Sequence, residues 1–165
     1  MDSSQQERLF EQWLLECKGL ILKIVRAYAF TKQDQEDLFQ EILVQLWRSI
    51  PSFQEKSKPS TWIYKVALNR SLTWQRSARQ RDSRRVPFVE IEEPINEDHF
   101  EKRERLKFLY EEIRKLNKID RCLTLLFLDD LNYREMAEIM EMSESNIGVR
   151  LNRIKKNLAE AMKGK

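Results

Sequence analysis

The chain has 165 residues, 41% of them hydrophobic and 35% charged, with a formal net charge of +3, which allows cores of modest size in one ordinary domain or two small ones. Three glycines and four prolines are too few for a turn-rich sheet protein, because turns demand those residues, so the expected class is all-α. Cys17 and Cys122 have neither CxxC spacing nor a histidine beside them, and the lone His99 sits among acids, so neither a disulfide framework nor a zinc or other metal site is read.

The amino terminus, MDSSQQERLF, has no basic segment leading into an apolar run, and no stretch approaches the roughly 18 apolar residues of a membrane span. A soluble cytoplasmic protein is expected. LFEQWLLECKGLILKIVRAYAF is an apolar-rich helical stretch, expected to be interrupted around Gly19. TKQDQEDLFQEILVQLWRSI then starts afresh, with Thr31 and Asp34 as cap candidates and acids in the first turn, as the helix dipole favours. Leu38, Phe39, Ile42, Leu43, Leu46, Trp47 and Ile50 fall on one buried stripe. Asp34, Glu36, Asp37, Gln40, Glu41 and Gln45 remain mostly outside it, a face that meets either a cationic partner or only solvent. Pro51 ends this helix, SFQEKSKPS loops, and Ser60 can cap the next, which runs toward Arg79.

Rotation by about 100° per residue gathers Lys65, Asn69, Thr73, Arg76 and Gln80 of that helix into one polar stripe headed by Trp62. Ile63, Ala67, Ser71, Trp74 and Ala78 turn inward. A face of cations, an amide and an aromatic ring suits single-stranded nucleic acid, where bases stack and the backbone follows charge; Trp62 can equally be core. Charge is lopsided here: Trp62 to Val86 holds seven cations against Asp82, whereas Val89 to Glu104 holds seven acids against Lys102 and Arg103. VPFVEIEEPINEDHF, with two prolines and a block of acids, reads as a linker. The organisation is therefore residues 1–85, a linker over 86–102, and residues 103–165.

The second part reads as four helices. EKRERLKFLYEEIRKLN and KIDRCLTLLFLDD supply apolar packing, and NYREMAEIMEMSESNIGVRLNRIKK supplies a short helix, a polar break and a longer helix. Asn132 and Glu135 have capping-box spacing, Met136, Ala137, Ile139 and Met140 form an inner face, and Ser143 can cap the last helix. This is the grammar of a helix-turn-helix. In the last helix Ile147, Leu151, Ile154, Leu158 and Met162 fall together as the buried stripe. Ser145, Val149, Asn152, Arg153 and Lys156 face away, with Arg150 and Lys155 on the flanks, an outward face able to read major-groove edges and hold phosphates. Gly148 costs about 1 kcal/mol relative to alanine in a helix; it either allows close backbone approach to DNA or is simply tolerated.

DQEDLFQEILVQLWRSIPSF, then STWIYKVALNRSLTWQRSARQR, then LDDLNYREMAEIMEMSESNIGVRLNRIKKNL resemble, in that order, the bacterial sigma-70 family in its small two-domain extracytoplasmic-function type. The resemblance implies an all-α fold with a region 2 bundle and a region 4 helix-turn-helix, and a role in promoter recognition, DNA melting and transcription initiation. Core RNA polymerase would be the main partner, through its largest-subunit clamp helices and its flap. Asp37, Gln40 and Glu41 fall on the family's D-x-x-Q-E positions for clamp binding, with Asp34 and Gln45 on the same face. The minus-ten element would be caught as melted single strand by Trp62, Lys65, Asn69, Thr73, Arg76 and Arg79 together with Phe53, Lys56 and Lys58 of the preceding loop. Asn69 matches the family's asparagine and can bond a flipped base edge. The minus-thirty-five duplex would meet Ser145, Asn146, Gly148, Val149, Arg150, Asn152, Arg153 and Lys156. Here the chain departs from the commonest pattern, with Ser145 and Asn146 where many relatives have Gly-Thr. The linker would thread the polymerase cleft, and such factors often have an anti-sigma partner.

The rival readings are an autonomous helix-turn-helix transcriptional regulator, a nucleic-acid-processing enzyme, and a helical scaffold. For the enzyme, no catalytic constellation, cofactor motif or glycine-rich phosphate loop is legible.

Overall fold

The computed structural model describes residues 2–77 and 97–164, with side chains for 2–74 and 101–164. Those residues form seven α-helices, with no strand among them: α1 (Ser3–Tyr28), α2 (Lys32–Ser49), α3 (Pro59–Ser77), α4 (Glu97–Lys115), α5 (Lys118–Leu128), α6 (Tyr133–Met140) and α7 (Glu144–Lys163). The cationic run beyond Ser77, with Arg79 and Gln80, lies outside the described residues, as does most of the acidic linker stretch; Arg76 has a described backbone only.

Helix α1 buries Trp13, Cys17, Ile21, Ile24, Val25 and Tyr28. That stripe advances by three or four residues at a time and crosses Gly19 without a break, so the expected interruption does not occur. Gly19 is exposed, and a Cβ placed on it would meet nothing within 4 Å; burial on both sides carries the helix through it. Thr31 caps α2 by accepting from the Asp34 amide at 3.1 Å. Leu38, Ile42, Leu46 and Ile50 are buried, with Phe39, Leu43 and Trp47 partly so. On the polar face Asp37, Gln40 and Gln45 are exposed, Asp34 and Glu41 are partly buried, and Glu36 is only 9% exposed.

A 3-10 turn over Ile50–Ser52, containing Pro51, ends α2. Helix α3 begins at Pro59, one residue before the expected cap Ser60. Proline suits a first helical position because its φ is preset and it lacks an N–H that would be unsatisfied there; the Lys58 carbonyl accepts from the Trp62 amide at 3.2 Å. Ile63, Ala67, Ser71 and Trp74 turn inward as expected. Helix α4 starts at Glu97, inside the stretch expected to be linker to residue 102.

Helices α1, α2 and α3 pack together, as do α5, α6 and α7, and α1 meets α4 and α5 while α3 meets α6. The two parts thus share an interface. Arg114 donates from Nη2 and Nε to the Arg26 carbonyl at 2.8 and 3.1 Å, meeting carbonyls that the end of α1 leaves unpaired. Buried Tyr28 lies 2.8 Å from Cys122 Sγ through its hydroxyl and donates to the Lys118 carbonyl at 3.3 Å. Burial first, then the Cys122 thiol, pushes the Tyr28 phenol far above its ordinary range. The Arg121 guanidinium sits 5.0 Å over the Tyr28 ring, an attractive cation–π placement, and donates to the Arg114 and Leu116 carbonyls at 2.6 and 3.1 Å.

Candidate nucleic-acid interface

The helix-turn-helix is built by local chemistry. Asn132 Oδ1 accepts from the Glu135 amide at 2.9 Å and a Glu135 carboxylate oxygen accepts from the Asn132 amide at 3.0 Å, closing the capping box. Glu141 ends α6 in the left-handed region at φ 54°, which turns the chain sharply before Ser143. The Ser143 hydroxyl then accepts from the Asn146 amide at 3.2 Å to start α7. Ile147, Leu151 and Ile154 are buried, and Leu158 and Met162 are partly buried.

Ser145, Asn146, Val149, Asn152, Arg153 and Lys156 are exposed, and Arg150 is partly exposed on the flank. The two arginines do not stand alone. Asp120, a buried carboxylate on α5, accepts from Arg150 Nη1 at 2.9 Å and from Arg153 Nη2 at 2.8 Å, and also from Asn117 Nδ2 at 2.7 Å. Burial by itself raises the Asp120 carboxyl, but the bonds from Arg150 and Asn117 and the charge of Arg153 outweigh it and hold the group below its ordinary range. Arg150 Nε donates to Asn146 Oδ1 at 3.3 Å. Gly148 has a packing reason: a Cβ there would come 3.3 Å from Tyr133 Cε2, so the Tyr133 ring of α6 lies over the glycine.

On α3, Asn69 and Thr73 are exposed and Lys65 is partly exposed. Thr73 donates its hydroxyl to the Arg70 carbonyl at 2.9 Å. Trp62 is half-buried: it donates from Nε1 to Ser49 Oγ at 3.2 Å and packs on Phe53 with centroids 5.6 Å apart. Phe53 also meets Trp13 edge-on at 5.0 Å, so it anchors the loop to the core. Lys56 is exposed on that loop.

Residues 14–81 match the model of sigma-70 region 2, and residues 109–158 match that of sigma-70, region 4. The chain belongs to the sigma-70 family. The sigma-E factor of Escherichia coli K12, an ECF RNA polymerase sigma factor, is 26% identical over 164 residues, covering 89% of this chain and 83% of that protein. Among solved structures, CnrH in complex with the cytosolic domain of CnrY has a TM-score of 0.70 at 16% identity, over 96% of this chain and 90% of that one. The sigma factor RpoE of Bartonella quintana, in complex with the anti-sigma factor NepR, has a TM-score of 0.62 at 22% identity, over 93% and 96%.

In this sigma factor the two expected DNA surfaces lie close to opposing charges. Lys58 pairs with Glu135 at 2.9 Å and Lys65 with Glu141 at 2.7 Å, both across the α3–α6 contact. The lysine bond comes first in lowering each glutamate's pKa, supported at Glu135 by the Asn132 amide and at Glu141 by the Lys65 charge. On α2, Asp37, Gln40 and Gln45 are exposed, whereas Asp34 is partly buried beneath its cap and Glu41 pairs with Arg70 of α3. Val44, which sequence reasoning missed, is 49% exposed in the middle of that polar face; its i+7 spacing from Asp37 is the signal that places it there. Asp120 was also missed, although an acid in the apolar run KIDRCLTLLFL marks a buried carboxylate that needs a partner. No helix among the described residues is long and apolar enough to cross a membrane.

Proposed function

We propose that this chain acts as an extracytoplasmic-function-type sigma factor through three separate helix faces. Asp34, Asp37, Gln40, Glu41 and Gln45 of α2 take the clamp helices of core RNA polymerase. The α3 face with Trp62, Lys65, Asn69 and Thr73, the following Arg76 and Arg79, and the loop residues Phe53, Lys56 and Lys58, hold the melted minus-ten strand. The α7 face enters the duplex at the minus-thirty-five element, and the apolar flank of its unit meets the flap. Residues 1–85 and 103–165 serve as the two DNA-holding units, with the linker over 86–102 threading the polymerase cleft.

The observation that supports this most directly is the turn-and-cap geometry of α6 and α7, which leaves an exposed hydroxyl, amide, methyl and guanidinium face in a family of promoter-recognition proteins. The work is recruitment in the cytoplasm, with no bond made or broken by this chain and no cofactor. Tethering two modest DNA contacts raises their effective concentration, and every phosphate contact makes the binding salt-dependent. Lys58 and Lys65 reach DNA by exchanging Glu135 and Glu141 for phosphate. Such a change is inexpensive, since exposed ion pairs contribute little. An anti-sigma partner is extended to this chain from the complex of RpoE with NepR.

Run-off transcription on a genomic library, with core polymerase plus or minus this chain, tests the reading. Specific start sites that depend on the chain are expected. Folded protein that binds core yet directs no start site refutes it, and tight duplex binding without polymerase points instead to an autonomous regulator.

A further inference from the structure

Val149 is the one apolar side chain on the reading face of α7, and 70% of it is exposed. The free chain gains nothing from it. Valine is a poorer helix former than alanine because its branched Cβ loses rotamer freedom against the preceding turn, and exposed methyls contribute no burial. Its surroundings narrow what it is for. On one side Gly148 offers no side chain and lies under the Tyr133 ring. On the other, Arg150, a group that would commonly read guanine, spends Nη1 on Asp120 and Nε on Asn146, while Arg153 gives Asp120 one donor, Nη2.

A guanidinium reads guanine with two parallel N–H donors, and Arg150 as held here has its fork turned to a carboxylate and an amide oxygen of its own chain. Arg150 is thereby set beside the groove as a fixed cation suited to phosphate. Ser145, Val149 and Asn152, spaced by four and three residues and all exposed, are the uncharged side chains left to face base edges. Among those edges the major groove offers one apolar feature, the 5-methyl of thymine.

Resting on the reading that α7 enters the minus-thirty-five duplex, we propose that Val149 is a specificity-determining residue that packs against a thymine 5-methyl group, with Asp120 acting as a positioning residue that keeps Arg150 out of base reading. The contact replaces water around two methyl-bearing surfaces, and its loss is expected to cost about fourfold in affinity, the size of one buried methyl or methylene.

The probe is promoter DNA selected by holoenzyme, made from core polymerase and the full chain, out of a pool randomised upstream of the start site. Each thymine of the selected upstream element is replaced singly by uracil, which removes only the methyl. The proposal expects one position at which uracil weakens wild-type holoenzyme about fourfold and has no effect on Val149→Ala holoenzyme. Circular dichroism should show helicity and melting no lower for Val149→Ala, since the residue is mostly exposed and alanine is the better helix former. If uracil is tolerated throughout an element that holoenzyme still requires, the Val149 proposal is overturned while the placement of α7 stands. If Val149→Ala retains the uracil penalty, another group senses the methyl and the proposal is likewise overturned. Selection of no upstream element overturns both the proposal and the duplex role of α7.

Discussion

Replacing Asp120 with alanine removes the carboxylate on which α7 leans. Its side chain is 6% exposed and takes three donors, Arg150 Nη1 at 2.9 Å, Arg153 Nη2 at 2.8 Å and Asn117 Nδ2 at 2.7 Å. Removing one member of a buried charge pair typically costs about 3–5 kcal/mol, because the other is left unpaired. The Arg150 and Arg153 side chains, however, are 29% and 59% exposed. They recover water when released, so we expect about 2–3 kcal/mol at neutral pH. For a chain of this size that lowers Tm by about 5–10 °C. Asp120→Asn should rescue little, since an amide presents one oxygen and turns its N–H groups toward donors. The assay is thermal unfolding followed by far-UV circular dichroism across pH. The native carboxyl is held below its ordinary range, so its contribution is complete above the unfolded value of about 3.9 and disappears as pH falls through the lower native value. The gap between wild type and Asp120→Ala should therefore be constant from neutrality down to about pH 4 and close only in stronger acid. A Tm change below about 2 °C at neutral pH would refute the reasoning, as would a gap that closes near pH 6.

Gly148→Ala gains about 1 kcal/mol of helix propensity but sets a methyl 3.3 Å from the part-exposed Tyr133 ring. The two effects nearly cancel, and denaturant unfolding should show a change within about 0.5 kcal/mol of zero; Gly148→Leu, which cannot fit beneath the ring, should be clearly destabilising. Glu135→Lys with Glu141→Lys sets like charges against Lys58 and Lys65, so hydrogen exchange in α6 and the α3 amino terminus should accelerate, and unchanged protection would exclude a working contact there. In the wild type these same contacts should weaken with added salt and on acidification, because both glutamates have lowered values and lose their charge only in acid. Val44→Lys should leave Tm nearly unchanged, given the exposure of the side chain, yet weaken binding to core polymerase at least tenfold by setting a like charge against the cationic partner of the acidic face; equal affinity would remove α2 from that interface.

Caps and stripes were legible because they depend on neighbours within one or two turns. Thr31, Asn132 and Ser143 each accept from an amide three residues on, and the buried positions of α2, α3 and α7 follow helical rotation alone. The local misreadings have local causes: Gly19 faces solvent within a stripe that never lapses, and Pro59 is itself a good helix start. What could not be read is which members of each surface are already engaged. Asp120 and Arg153 are 33 residues apart in the chain, Lys58 and Glu135 are 77 apart, and no helical period relates such positions. An exposed cation on a reading face is a candidate base reader only until a carboxylate from another helix occupies its donors. At that point the side chain's charge remains available to phosphate, whereas the donors it has spent do not. The pattern of exposed residues therefore nominates a surface, whereas the long-range pairs show which of its side chains are already engaged.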